Sequence, residues 1–251
     1  MNYNWNWGIL LSPEPGGTGT YLAYLIVGLG WTLATALAAW VIALAVGSIV
    51  GTLRTTPAQW VVRLGNAYVE IFRNVPLIVQ MFLWFFVMPE LVPKGLGDWI
   101  KQVPPPWGSY IPAVLCLGIY TSVRVAEQVR AGINSLPRGQ RMAGIAMGLT
   151  QAQTYRHVIL PQAFRIILPP LTSEFMNVIK NSSVALTIGL LELTGRARSM
   201  QEFSFKVFEA FAAATLIYLL TNLVVVLAMR ALERKVRVPG LISASSSAGA
   251  H

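Results

Sequence analysis

The residues in this sequence best placed to do chemistry are ionisable groups embedded in apolar runs. Arg124, Glu127 and Arg130 lie in one such run, Glu174 and Lys180 in another, and Glu70 and Arg73 near the start of a third. An ionised side chain at the centre of a bilayer costs about 2.5–3.5 kcal/mol on insertion scales, so it needs a counter-charge or a ligand. Three-residue spacing puts Glu70 with Arg73, Arg124 with Glu127, and Glu127 with Arg130 on common helix faces, where the members of each pair neutralise each other. Glu127 cannot fully serve both arginines, which leaves residual positive charge on that face. Glu70, Arg73, Arg130 and Glu174 are read as membrane ion pairs. Arg124, near the middle of its run, is either a structural partner of Glu127 or a ligand for a carboxylate, which a guanidinium meets with two parallel hydrogen bonds. Lys180, Asn181, Ser182 and Ser183, with Thr187, are further candidates to line a polar path, although helical hydroxyls also bond their own backbone.

Other chemistry is excluded by what the sequence lacks. No Gly-x-x-x-x-Gly-Lys-Ser/Thr loop occurs, so nucleotide is bound elsewhere. His157, His251 and the single cysteine, Cys116, are too scattered to form a metal site. No nucleophile, base and orienting group converge as a membrane enzyme requires.

The elements that carry these charges are membrane spans. Of 251 residues, 55% are hydrophobic and only 12% charged, about half the charge of an average soluble chain. A helix needs about 20 apolar residues to cross the hydrocarbon core. Five spans are expected, over 21–53, 64–88, 111–134, 166–191 and 208–230. The stretch 89–110 contains five prolines and reads as a loop. The first 20 residues lack the basic start and small-residue cleavage site of a secretory signal and read as a periplasmic segment with Trp5 and Trp7 as interfacial anchors. Residues 241–251 read as a disordered cytoplasmic tail.

Orientation follows from the basic residues. With the N-terminus outside, Arg54, Arg63, Arg138, Arg141, Arg156, Arg165, Arg230, Arg234, Lys235 and Arg237 face the cytoplasm. Lys94, Lys101, Arg196, Arg198 and Lys206 face outward. This asymmetry fits the positive-inside rule and accounts for the net charge of +9 without nucleic acid.

The loop 135–165 is the most informative segment. Pro137 to Met147 predicts a short helix, Gly148 a left-handed stop, and Thr150 the cap of a second helix. Met142, Ala143, Ala146 and Met147 give it a small apolar face suited to a groove on another protein, or to a lid over this protein's own helix ends.

This loop resembles the cytoplasmic loop of permease subunits of ATP-binding-cassette importers, through Ala143, Gly148, Val158 and Leu160-Pro161. Glu70-Ile71-Phe72-Arg73-Asn74-Val75-Pro76-Leu77, Arg130-Ala131-Gly132-Ile133 and Lys180-Asn181-Ser182-Ser183 narrow the resemblance to polar-amino-acid permeases. Arg124-Val125-Ala126-Glu127-Gln128 and the closing 233–240 segment are most similar to glutamate/aspartate permeases. The resemblance implies a multi-pass protein of the bacterial inner membrane that imports an acidic amino acid, with glutamine or another polar amino acid as the alternative. An integral membrane enzyme or ion-coupled carrier is a more remote reading. The resemblance also implies that the chain is not an enzyme and holds no cofactor. ATP would be bound by a cytoplasmic ATPase dimer, the second permease would be a homologous chain or another copy, and a periplasmic binding protein would deliver the amino acid. Pro137, Arg138, Arg141, Met142, Ala143, Gly144, Met147 and Gly148 would couple the chain to the ATPase. Met142 stands where the family usually has glutamate, and Arg138 and Arg141 are candidate substitutes for its ion pair.

Overall fold

The computed structural model describes residues 3–14, 16–17 and 19–236. The expected tail lies outside these residues. The described residues are helical, with one isolated bridge between Pro13 and Thr20 just before the first long helix.

Helix α1, Tyr21–Leu53, starts where the Thr20 hydroxyl accepts the Ala23 amide, and it carries no charge along its length. It packs lengthwise on α5, Trp107–Asn134. Glycine permits this close approach: a Cβ on Gly47 would lie 2.6 Å from the Ser122 carbonyl oxygen, and one on Gly51 2.6 Å from that of Ala126. Small residues at a membrane helix interface let two backbones meet and gain dispersion contacts that lipid cannot match.

The expected second span, 64–88, is not one straight helix. α2, Gln59–Asn74, and α3, Leu77–Leu91, meet at a bend of 100°. Pro76 causes the break, because it has no amide to donate and forces the preceding residue, Val75, into extended backbone (φ −99, ψ 126). Gln80 staples the corner: its side-chain amide donates to the carbonyls of Phe72 at 2.8 Å and Val75 at 3.0 Å. A second irregularity, a π-helical turn at Leu83–Val87, lies within α3. The proline-rich stretch expected as a loop contains a short amphipathic helix, α4, Lys94–Lys101.

On the loop after α5, α6 is Arg138–Ala146 and α7 is Gln151–Thr154. A π-helical turn, Tyr155–Ile159, continues α7 into α8, Leu160–Asn181. The segment expected as a fourth span, 166–191, therefore has different helical limits. Its α-helix begins earlier and gives way to a tighter 3-10 segment, Ser182–Ile188. Hydroxyls explain the tightening: Ser182, Ser183 and Thr187 each donate to the carbonyl three residues back, at 2.7 Å.

α9, Leu193–Ser204, is capped by Glu192, which accepts the amides of Thr194 at 2.9 Å and Gly195 at 2.8 Å. Sequence reading places Glu192 among the external charges, but it is fully buried, and Thr32 of α1 and Tyr218 also donate to it. α10 is Val207–Val236. Glu209, also fully buried, ties the N-terminal segment to α10 by accepting the Tyr3 hydroxyl and the Asn6 amide.

Among the described residues, Tyr21–Leu53, Trp107–Asn134 and Val207–Lys235 are long and apolar enough to cross a membrane. The bent α2–α3 pair makes a fourth if it is one broken span. One buried cluster (Ala36, Met81, Leu117 and Ile179 among others) fills the half of the bundle nearer the start of α5. Another (Val125, Val129, Tyr155, Ala163 and Ile167) fills the half nearer its end.

Candidate functional site

Between these two cores α2, α5 and α8 leave a polar cleft of about 570 Å³, lined by Phe72, Arg73, Tyr120, Val123, Arg124, Glu127, Gln128 and Glu174. Arg124 projects into it with 42% of its side chain exposed. It donates to the Tyr120 hydroxyl at 3.0 Å, lies over that ring at 5.1 Å, and faces Glu174 of α8 at 3.5 Å. At that separation the pair is electrostatic and open, and Glu174 Oε2 accepts no hydrogen bond. A cation, a carboxylate and an aromatic ring thus converge on space large enough for a small zwitterion.

The expected pairing along α5 is corrected by the structure. Glu127 pairs with neither Arg124 nor Arg130 but with Arg54, at 3.0 Å. Arg54 sits just after α1 with only 4% of its side chain exposed, and it also donates from Nε to Asn66 Oδ1 at 2.9 Å. A buried guanidinium needs a counter-charge more than an exposed one does, so it takes the shared carboxylate. Among the described residues Glu70, Arg73 and Arg130 make no ion pair, and Glu174 faces Arg124 of α5. A second cleft of about 470 Å³, lined by Arg54, Asn66, Val69, Glu70, Arg73, Asn74, Glu127 and Arg130, adjoins the first through Arg73 and Glu127.

Lys180, Asn181, Ser182 and Ser183 do not line either cleft. Lys180 is exposed, while Ser182 is fully buried and, like Ser183, spends its proton on its own helix. Sequence reasoning also passed over Arg54, treated only as a topology marker, and Tyr120, whose four-residue offset before Arg124 is the signal that identifies it.

The loop helix presents a second surface. Met142 is 69% and Met147 71% exposed, and Ala143, Ile145 and Ala146 are exposed beside them. Gly144 differs from its neighbours: it is buried, and a Cβ there would meet Thr154 Cγ2 at 2.6 Å, so it seats α6 on α7 instead of facing outward. Gly148 takes φ +79, and Thr150 with Gln153 forms a reciprocal capping box. Arg138 and Arg141 border a cleft of about 310 Å³ with Thr55 and Tyr155, and the Arg141 guanidinium lies 5.3 Å from the Tyr155 ring.

The chain as a whole is similar to known proteins. Residues 43–238 match the family described as binding-protein-dependent transport system inner membrane component. The chain is 50% identical over 241 residues, 96% of this chain and 98% of the other, to the glutamate/aspartate import permease protein GltJ of Escherichia coli (strain K12). It is 35% identical to the probable glutamine ABC transporter permease protein GlnM of Bacillus subtilis (strain 168), over 75% of this chain and 82% of that one. A crystal structure of an amino acid ABC transporter with histidines, 30% identical, has a TM-score of 0.72 and covers 86% of this chain and 95% of that one. The match spans α1 through α10 and takes in both clefts and the loop helix. The chain therefore belongs to the binding-protein-dependent transport system inner membrane components, the permease subunits of ATP-binding-cassette importers.

Proposed function

We propose that this chain imports an acidic amino acid, glutamate or aspartate, through the cleft that holds Arg124. The observation that carries the reading is the arrangement of Arg124 and Glu174 across that cleft with a loose 3.5 Å contact. An acidic amino acid brings two carboxylates and one ammonium, so a guanidinium and a carboxylate on opposite walls complement it, and each substrate group replaces one half of the resident pair. The 50% identity to a glutamate/aspartate import permease supports this choice over glutamine. Glutamine keeps the α-carboxylate but offers a neutral amide to the second cationic contact.

In this reading the chain crosses the membrane five times, with α2–α3 as one broken span and α8 as the fourth. The N-terminus faces the periplasm, and α6 lies in the cytoplasm. A periplasmic binding protein delivers the amino acid. A second permease, homologous or identical, completes the path, and an ATPase dimer docks on the exposed face of α6. Nucleotide acts only through that dimer, which drives alternating access by binding ATP better in one state of the permease than in the other.

The test is uptake by the whole complex in proteoliposomes, with ATP inside and the binding protein outside. Labelled glutamate or aspartate is expected to accumulate, with unlabelled glutamine a weak competitor. Preferential accumulation of glutamine would overturn the acidic assignment. Accumulation without any ATPase subunit would overturn the mechanism.

A further inference from the structure

The arginines lining the two clefts are not equally engaged. Arg54 is held by Glu127 and Asn66, and Arg124 faces Glu174. Arg73 and Arg130, among the described residues, have neither an ion pair nor a side-chain hydrogen bond, and Arg73 is exposed on the wall common to both clefts. Glu70, one turn before Arg73, lines the second cleft with it but makes no ion pair to it. The second cleft is lined by three arginines, Arg54, Arg73 and Arg130, against two carboxylates, Glu70 and Glu127, the latter engaged by Arg54, so it keeps one positive charge in excess. It also lies farther along α5: six residues separate Arg124 from Arg130, a rise of about 9 Å.

We propose that this second cleft is a release station, in which Arg73 receives the carboxylate of the amino acid as it leaves Arg124 and Arg130 is the next cation toward the cytoplasm. The proposal rests on the acidic-substrate reading and deepens it. A path with one strong site holds its cargo, whereas several weaker sites in series let it enter and leave. Arg73 provides the second contact without a resident partner to displace.

The experiment compares wild type, Arg73→Gln, Arg73→Lys and Arg130→Gln in the reconstituted complex, recording glutamate uptake and ATP hydrolysis against the concentration of loaded binding protein. A contact made after capture acts on turnover rather than on apparent affinity. Arg73→Gln is therefore expected to lower maximal uptake about tenfold, with half-saturation changed by less than about twofold. Arg73→Lys keeps the charge and is expected to retain about half of the uptake or more, and Arg130→Gln to lose about threefold. ATP hydrolysis should fall less than uptake, so that fewer molecules move per ATP. Wild-type uptake by Arg73→Gln would overturn the proposal, as would an equal defect in Arg73→Lys with transport and hydrolysis falling together, the mark of a purely structural residue. If Arg73→Gln does not assemble, Arg73→Lys and Arg130→Gln still decide: normal uptake by Arg130→Gln, or a full loss in Arg73→Lys, contradicts the station. Absence of acidic amino-acid uptake in wild type would refute the substrate reading itself, whereas wild-type uptake with normal Arg73 variants refutes only the release station.

Discussion

Arg54 and Glu127 illustrate how burial decides between partners that spacing leaves open. On α5 alone, Glu127 has Arg124 and Arg130 each three residues away, and nothing in the sequence favours a third arginine 73 positions earlier. The close approach of α1 and α5 at Gly47 and Gly51 brings Arg54 to Glu127, and its burial makes that pairing compulsory. Arg54 is the buried member, so removing Glu127 leaves an uncompensated buried charge and costs up to about 3–5 kcal/mol, while replacing both partners costs far less. Glu127→Gln, which strands the buried Arg54 guanidinium, is therefore expected to lower the thermal unfolding midpoint of the detergent-solubilised chain sharply, and Arg54→Gln with Glu127→Gln to recover most of it. An equal loss in the single and double variants would show that the pair is not the source of the stability. Arg124 itself was legible from its charge and depth, whereas Tyr120 was passed over although its place one turn earlier carried the signal. Glu174 as the partner of Arg124 was not legible, because it arrives from α8, about 50 residues away in sequence, through tertiary packing alone.

At the level of elements, local chemistry wrote the loop helix into the sequence more completely than it wrote the spans. Pro137, Gly148 and Thr150 each act on the backbone nearest them, and the structure has a helix over Arg138–Ala146, a left-handed glycine and a capped helix start in those places. The corner between α2 and α3 was harder to see. Hydropathy averages over Pro76, and the staple that makes the break tolerable, the Gln80 amide reaching back to Phe72 and Val75, depends on the bend already existing. The same holds for the start of α8, whose helix is continuous through Pro161, Pro169 and Pro170. The geometry of Gly148 leads to a specific expectation. A β-branched residue there is strained at φ +79, by about 1–2 kcal/mol or more, and shifts the exposed face of α6. Gly148→Val is expected to keep near-normal amounts of protein in the membrane while lowering both uptake and binding-protein-stimulated ATP hydrolysis about tenfold or more. Unaltered coupling in that variant would argue that the face of Met142 and Met147 does not meet the ATPase.

The whole molecule separates its charges by task. Those near the expected cytoplasmic ends are expected to orient the chain, and those on the loop helix border the exposed face of α6, where the ATPase is proposed to dock. Glu192 and Glu209 are fully buried joints, one linking α1, α9 and α10 and the other pinning the N-terminal segment to α10. A final group faces the two clefts, where α2, α5 and α8 hold a cation and an anion apart by an open contact. Membrane character and family were plain in the sequence because composition and several ordered motifs carry them over nearly the whole chain. The clefts were not, since they exist only where helices distant in sequence fail to close on one another. The central claim is that Arg124 holds a carboxylate of the transported amino acid. Its most direct test is ATP-driven glutamate uptake by assembled complexes carrying Arg124→Gln. Loss of one charge-assisted contact is expected to reduce uptake efficiency about tenfold to a hundredfold, while the binding protein still docks on the complex. Wild-type uptake by Arg124→Gln complexes would contradict the claim.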